Sequence, residues 1–374
     1  LEVCADTKDA GPSKLNKRPL GCTDLEITTS DSQVMMASGI DISLSELSGN
    51  KTNLFIQDLV SQYPFRDLTV HSSGSGNVLG NSIFAMGKID LQSEHGYVTL
   101  TNSFGDGVSV KTTSKPIDVL DLGGVGLDLT NPDKPSFAYA SIGLQSDAAD
   151  IFFGNLIACD AITISTKTGD TVGATVQILG NMKIHNDDGI VYLNGVSSLA
   201  DIDVTTSTGS IKGSAVVANQ FTATTSSGSV SIIEMFLGIA VKSLAPPNQG
   251  TPKVDIRSDS GDITVEGMQG LANPADAGSL NVNLITKAAG NVKVIVNGNG
   301  FLGQYRMNSL HGVQGVLIEG EEMPGGLWTT RGCVPVPKSV SPDSAPPATC
   351  PHRGLINIGT LYGNAELVQE AGAR

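Results

Sequence analysis

Residues Ile202–Ser214 read IDVTTSTGSIKGS, and Val254–Met268 read VDIRSDSGDITVEGM. Both alternate apolar and polar residues, break at a Ser/Thr- or Asp-rich turn ending in glycine, then alternate again. A period of two marks a strand with one dry face, so each stretch reads as two strands around a bend. With n as the first apolar residue, apolar side chains fall at n and n+2, a hydroxyl at n+4 and glycine at n+7. Apolar residues resume at n+9 and n+11.

The pattern recurs with n at 25, 68, 89, 108, 142, 162, 182, 202, 221, 254, 282 and 356. Position n+4 is then Thr29, Ser72, Ser93, Thr112, Ser146, Thr166, Asn186, Thr206, Thr225, Ser258, Thr286 and Thr360. All but Asn186 carry a hydroxyl, although the registers were set by the apolar positions. The units at 68 and 282 need one extra residue in the turn, the unit at 162 has Thr171 in an aliphatic position, and a weaker unit begins at Tyr305.

A repeat of about 20 residues with an internal period of two excludes helical repeats and points to a parallel β-solenoid. Residues at n+1 and n+3, such as Asp203 and Thr205, should face solvent. The n+4 hydroxyl should bond its own turn backbone or the equivalent hydroxyl one rung away. Glycine at n+7 should supply φ > 0 at the bend, and the remaining residues should form a third side. The expected fold is all-β, with about 12–13 rungs and no core within any single rung. The units TTSTGSIKG, TTSSGSVSI and RSDSGDITVEG resemble the β-helical adhesin-type domains of bacterial surface proteins, over about residues 67–300. That resemblance implies a right-handed solenoid and brings no catalytic residues with it.

The ends depart from the repeat. Residues 1–24 read as an N-terminal segment, 25–320 as the solenoid, 321–353 as a Pro-rich insertion, and 354–374 as a final rung and tail. Residues 40–66 and 303–353 are largely irregular by the template. Cys4 and Cys22 bracket one irregular segment and Cys333 and Cys350 another, so two local disulfides are expected, with Cys159 free and buried. The spacing does not prove that pairing. A first residue Leu1 in place of Met reads as the trace of a removed secretory signal. Secretion would make Asn50, in the sequon Asn50-Lys51-Thr52, a glycosylation site.

Charged residues are only 16% and aromatics 5% of 374, with 44 glycines, a profile for turn-dense β structure rather than a typical α/β enzyme. A net charge of −14 argues against nucleic acid as a partner. The most apolar run, SIIEMFLGIAVKSLA, is interrupted by Glu234 and Lys242, so no membrane span is expected.

Right-handed β-helices include pectin-degrading enzymes, so acid–base candidates were weighed. Asp187 and Asp188 form a carboxylate pair, Glu94 and His95 lie together, and His311 precedes a glycine. Yet Asp187 and Asp188 occupy n+5 and n+6, the turn that other units fill with Ser, Thr or Asp, and read as solvated. No zinc spacing or calcium nonapeptide is present, so no cofactor is expected; turn carboxylates such as Asp170, Asp259 and Asp262 leave weak Ca²⁺ association open. Repetition without a recurring polar cluster suits a structural protein: a secreted or cell-surface adhesin-like rod, or the subunit of an extracellular filament or coat. The expected partners are further copies in a homopolymer, other surface proteins, or glycans. A carbohydrate-binding module is the alternative, and a polysaccharide lyase or hydrolase a more distant one.

Overall fold

In the rung that opened the sequence, Asp201–Thr206 buries Ile202, Val204 and Thr206 and turns Asp201, Asp203 and Thr205 outward. Ile211–Ala218 then buries Ile211 and Gly213, but the alternation slips, and the next inward residues are Val216 and Ala218. The slip falls at Ala215, whose φ of 51° bends the strand. One eight-residue strand thus makes two of the rung's three walls. Burial of Ile202, Val204, Ile211 and Val216, each at 1% exposure or less, contributes roughly 1.5–3 kcal/mol per side chain. That gain exists only once a second rung covers the first.

A computed structural model describes residues 2–3, 24–28, 40–44, 53–57, 67–124, 126–128, 136–138, 140–238, 252–270, 280–297, 304–318, 321–323, 329–333 and 355–370. The chain forms two compact units, residues 1–183 and 184–374, with the boundary inside the strand Asn181–Asp188. All described elements are strands, turns or irregular chain. Within each unit, first strands pair in parallel with first strands and second strands with second strands. In unit 2, Ile202, Val204 and Thr206 stack on Phe221, Ala223 and Thr225, and Ile211 on Val230. In unit 1, Ile142, Leu144 and Ser146 stack on Ile162, Ile164 and Thr166. This is the expected parallel β-solenoid, with like residues stacked on like.

Three features differ from the sequence reading. Asp24–Thr28 pairs with Asn53–Gln57, which pairs with Val78–Asn81, so it belongs to the second sheet. The unit set at Leu25 was therefore misassigned, and Thr29, its supposed hydroxyl, lies outside the described residues. Conversely, Ile40–Leu44 pairs with Leu68–Ser72 in the first sheet. A rung thus spans 40–57 where no repeat was expected. Its n+4 residue is Leu44 and its n+7 residue Leu47, so it carries neither the hydroxyl nor the glycine that marks the other rungs in the sequence.

The third difference is the order of the last rungs. The weak unit at Tyr305 is a true rung, with strands Gln304–Ser309 and Gln314–Ile318. The final rung, Leu355–Thr360 and Ala365–Glu370, does not follow it in space. Leu355–Thr360 lies between Asn281–Thr286 on one side and Gln304–Ser309 on the other. Ala365–Glu370 likewise lies between Val292–Asn297 and Gln314–Ile318. The chain's last rung is inserted between two earlier ones. The outer edges of rung 304–318 are covered by antiparallel strands, Glu321–Met323 on the second sheet and Thr329–Cys333 on the first.

Candidate functional site

The recurring polar residue is n+4, and at every unit with a described side chain it is buried, from Thr112 at 0% exposure to Thr360 at 6%. Its hydroxyl works in two directions. It accepts from the n+7 backbone N–H of its own turn, as in Gly209 to Thr206 at 2.9 Å, Gly228 to Thr225 at 3.0 Å and Gly261 to Ser258 at 2.7 Å. It donates to the n+7 carbonyl of the adjacent rung, as in Thr225 to Gly209 at 3.0 Å and Ser258 to Gly228 at 3.1 Å. The expected bond to the turn backbone is present, and the inter-rung partner is a carbonyl, not another hydroxyl. A carbonyl has no side-chain signature, so the sequence could not reveal it.

This relay also explains the glycines. A Cβ at Gly209, Gly228, Gly261 or Gly363 would overlap the n+7 carbonyl oxygen of the rung beside it. None of the four has positive φ, so they are required by close approach, whereas Gly169 and Gly189, at n+7 of the units at 162 and 182, have the expected positive φ of 119° and 144°. A further set of positive-φ residues sits at n+13: Asn102, Asp121, Asn155, Thr175, Ala215 and Glu234, with Gly195 and Gly267 in the same position. Thr286 shows what an altered turn does. Its unit has one extra turn residue, and its buried Oγ1 has no hydrogen-bond partner.

A second ladder runs at n+8, where an Asx side chain accepts from the equivalent backbone N–H of the next rung. Asp262 accepts from Asn291 at 2.7 Å, Asn291 from Asn364 at 2.9 Å, and Asn364 from Val313 at 2.9 Å. In unit 1, Asp150 accepts from Asp170 at 2.7 Å.

The acid–base candidates are dispersed. Asp187 pairs with His185 at 3.1 Å and Asp188 accepts from Thr208 at 2.6 Å, both at the end of the strand Asn181–Asp188, just before the bend. Glu94 lies 3.7 Å from His71, not engaged with His95. His311 stacks on Tyr362 with ring centroids 5.1 Å apart. Of the turn carboxylates considered for Ca²⁺, Asp259 binds Lys287 at 2.6 Å and Asp262 holds the Asx ladder. Among the described residues no group of three or more His, Cys, Asp or Glu could hold a metal ion.

Cys159 is free and half-buried, and burial pushes its thiol above the usual range, away from the reactive thiolate. Cys4, Cys22, Cys350 and Asn50 lie outside the described residues, so the two expected disulfides and the sequon do too.

The densest polar cluster was not anticipated. Asp255, expected outward at n+1, is only 8% exposed. Arg257 clamps it from Nε and Nη2 at 2.9 and 3.0 Å, Asn283 donates at 3.0 Å, and Lys253 lies at 3.4 Å. Asn357 in turn donates to Asn283 at 2.8 Å. Burial alone would raise the Asp255 pKa; the hydrogen bonds from Arg257 and Asn283 and the charges of Arg257 and Lys253 outweigh it and hold the carboxyl below its ordinary value. Every partner in this cluster comes from the sheet itself, so it ties rungs together. A groove on the second-sheet wall is lined by Asp262, Thr264, Asn291, Lys293, Asn364 and Glu366, and all of these but Thr264 also cross-link adjacent rungs.

No family model, curated protein or solved structure matches the chain.

Proposed function

We infer that the chain is a structural solenoid without catalytic activity, an adhesin-like spacer or subunit of an extracellular filament or coat. The carrying observation is where the repeated polar chemistry goes. The n+4 hydroxyls and n+8 Asx residues recur from rung to rung, and both are spent on backbone groups of neighbouring rungs. Enzyme sites do the reverse, converging unlike groups on one point. The resemblance of the rungs to adhesin-type β-helices supports the surface location.

The test has two parts. Purified protein is assayed on pectin-like polysaccharides, and native material is imaged by negative-stain microscopy. The reading expects no depolymerisation, together with ordered assemblies. Depolymerisation that disappears in the Asp187→Asn, Asp188→Asn double variant would overturn it.

A further inference from the structure

We propose that the inserted rung, residues 355–370, is exchangeable between molecules, so that a second copy of this chain can supply it to the slot between rungs 281–297 and 304–318. This deepens the filament reading by naming the surface and the partner.

Among the described residues, the contacts that seat the rung in the slot come from within 355–370. Ile356, Ile358, Ala365 and Leu367 fill the core at 1% exposure or less. Thr360 donates to the Gly290 carbonyl at 2.8 Å, and Ser309 donates to the Gly363 carbonyl at 2.9 Å, so the hydroxyl relay passes through the inserted rung on both sides. The n+8 ladder does the same through Asn364. None of these contacts depends on which molecule residues 355–370 belong to.

The connection is far longer than the step it makes. Cys333 and Leu355 flank the same residue, Gln304, on opposite sides. They are thus two strand spacings apart, about 10 Å. With Cys333 and Cys350 reduced, the twenty-one residues 334–354 that join them could span roughly 70 Å when extended. Six of them are proline, a composition that favours extended chain over a tight return. An element joined to the rest of its fold by so long a connection can be exchanged between identical copies, as in domain swapping.

The full-length chain carries its own reporter. Lys293 Nζ lies 3.9 Å from Glu366 Oε2 across the slot, within reach of a zero-length carbodiimide. Isotopically heavy and light chains are mixed one to one, with thiols kept reduced. They are incubated at about 1 mM, where a tethered rung meets intermolecular competition, and then cross-linked. Rung exchange gives linked 293–366 peptides of mixed isotope, rising toward half of the total, with a parallel rise in mass by light scattering. A mass that stays at one chain at all concentrations overturns the proposal. Oligomers whose 293–366 links are all like-isotope, or that yield no such link, also overturn it. That last result would leave the filament reading standing, with assembly through another surface.

Discussion

At the scale of single residues, the solenoid is held by requirements that change from position to position. Gly228 is needed because its neighbour's carbonyl occupies the space of a Cβ. Gly228→Ala should therefore cost on the order of 2–3 kcal/mol by overpacking, read as a lower urea midpoint with unchanged slope. Thr171 errs in the opposite direction: it is fully buried on the core side with its hydroxyl unpartnered. Thr171→Val should stabilise by about 1 kcal/mol, since it removes a stranded polar atom at nearly constant shape. A loss of stability there would mean that the hydroxyl has a partner. Thr175 is a β-branched residue at φ 54°, a conformation that costs about 1–2 kcal/mol. Thr175→Gly should recover part of this, and Thr175→Asn a smaller part. The corner was partly legible in the sequence, because Asn102, Asp121, Asn155, Gly195 and Gly267 tolerate the left-handed region. Thr175, Ala215 and Glu234 hid it, since in them the stack overrides local preference.

At the scale of the element, a strand's inner face is written by period two and its outer face is nearly free. That is why n, n+2 and n+4 could be read directly, while the Asp255 cluster could not: Lys253, Asp255 and Arg257 share one strand, but Asn283 and Asn357, which complete it, come from other rungs far along the chain. The cluster makes a pH prediction. Asp255 is held below its ordinary pKa in the folded state, so its contribution to stability is complete above the unfolded carboxyl value, near pH 4. That contribution is lost as pH falls through the lowered folded value. Urea midpoints of the wild-type chain should fall more steeply with acidification below about pH 4 than those of Asp255→Asn. Parallel pH profiles for the two would show that the carboxylate gains nothing from Arg257 and Asn283. The dispersed placement of Asp187, Asp188, Glu94 and His311 was legible as turn chemistry, because each falls in the segment where other units carry Ser, Thr or Asp.

At the scale of the whole molecule, the order of the rungs is what the sequence could not reveal. Most rungs present a similar dry face with similar n+4 and n+7 chemistry, so the sequence alone does not say which rung stacks on which. The repeat that makes the fold readable makes its order ambiguous. The inserted rung turns this ambiguity into a measurable dependence. Among the described residues, rung 304–318 pairs with the rest of the stack through residues 355–370, and its other edges pair with Glu321–Met323 and Thr329–Cys333. Leu367→Asp places a charge in the slot's core, where Leu367 is 1% exposed, and should expel residues 355–370. Amide hydrogen exchange in Gln304–Ser309 should then speed up together with that in Leu355–Thr360. Protection in Val254–Ser258, two rungs away in the opposite direction, should persist. The signature is spatial: residues about fifty positions earlier in the chain lose protection with the mutated rung. If Gln304–Ser309 instead kept its protection, it would have closed the gap and paired directly with Asn281–Thr286. The slot would then be one of two stackings open to this chain, and the insertion a choice between them.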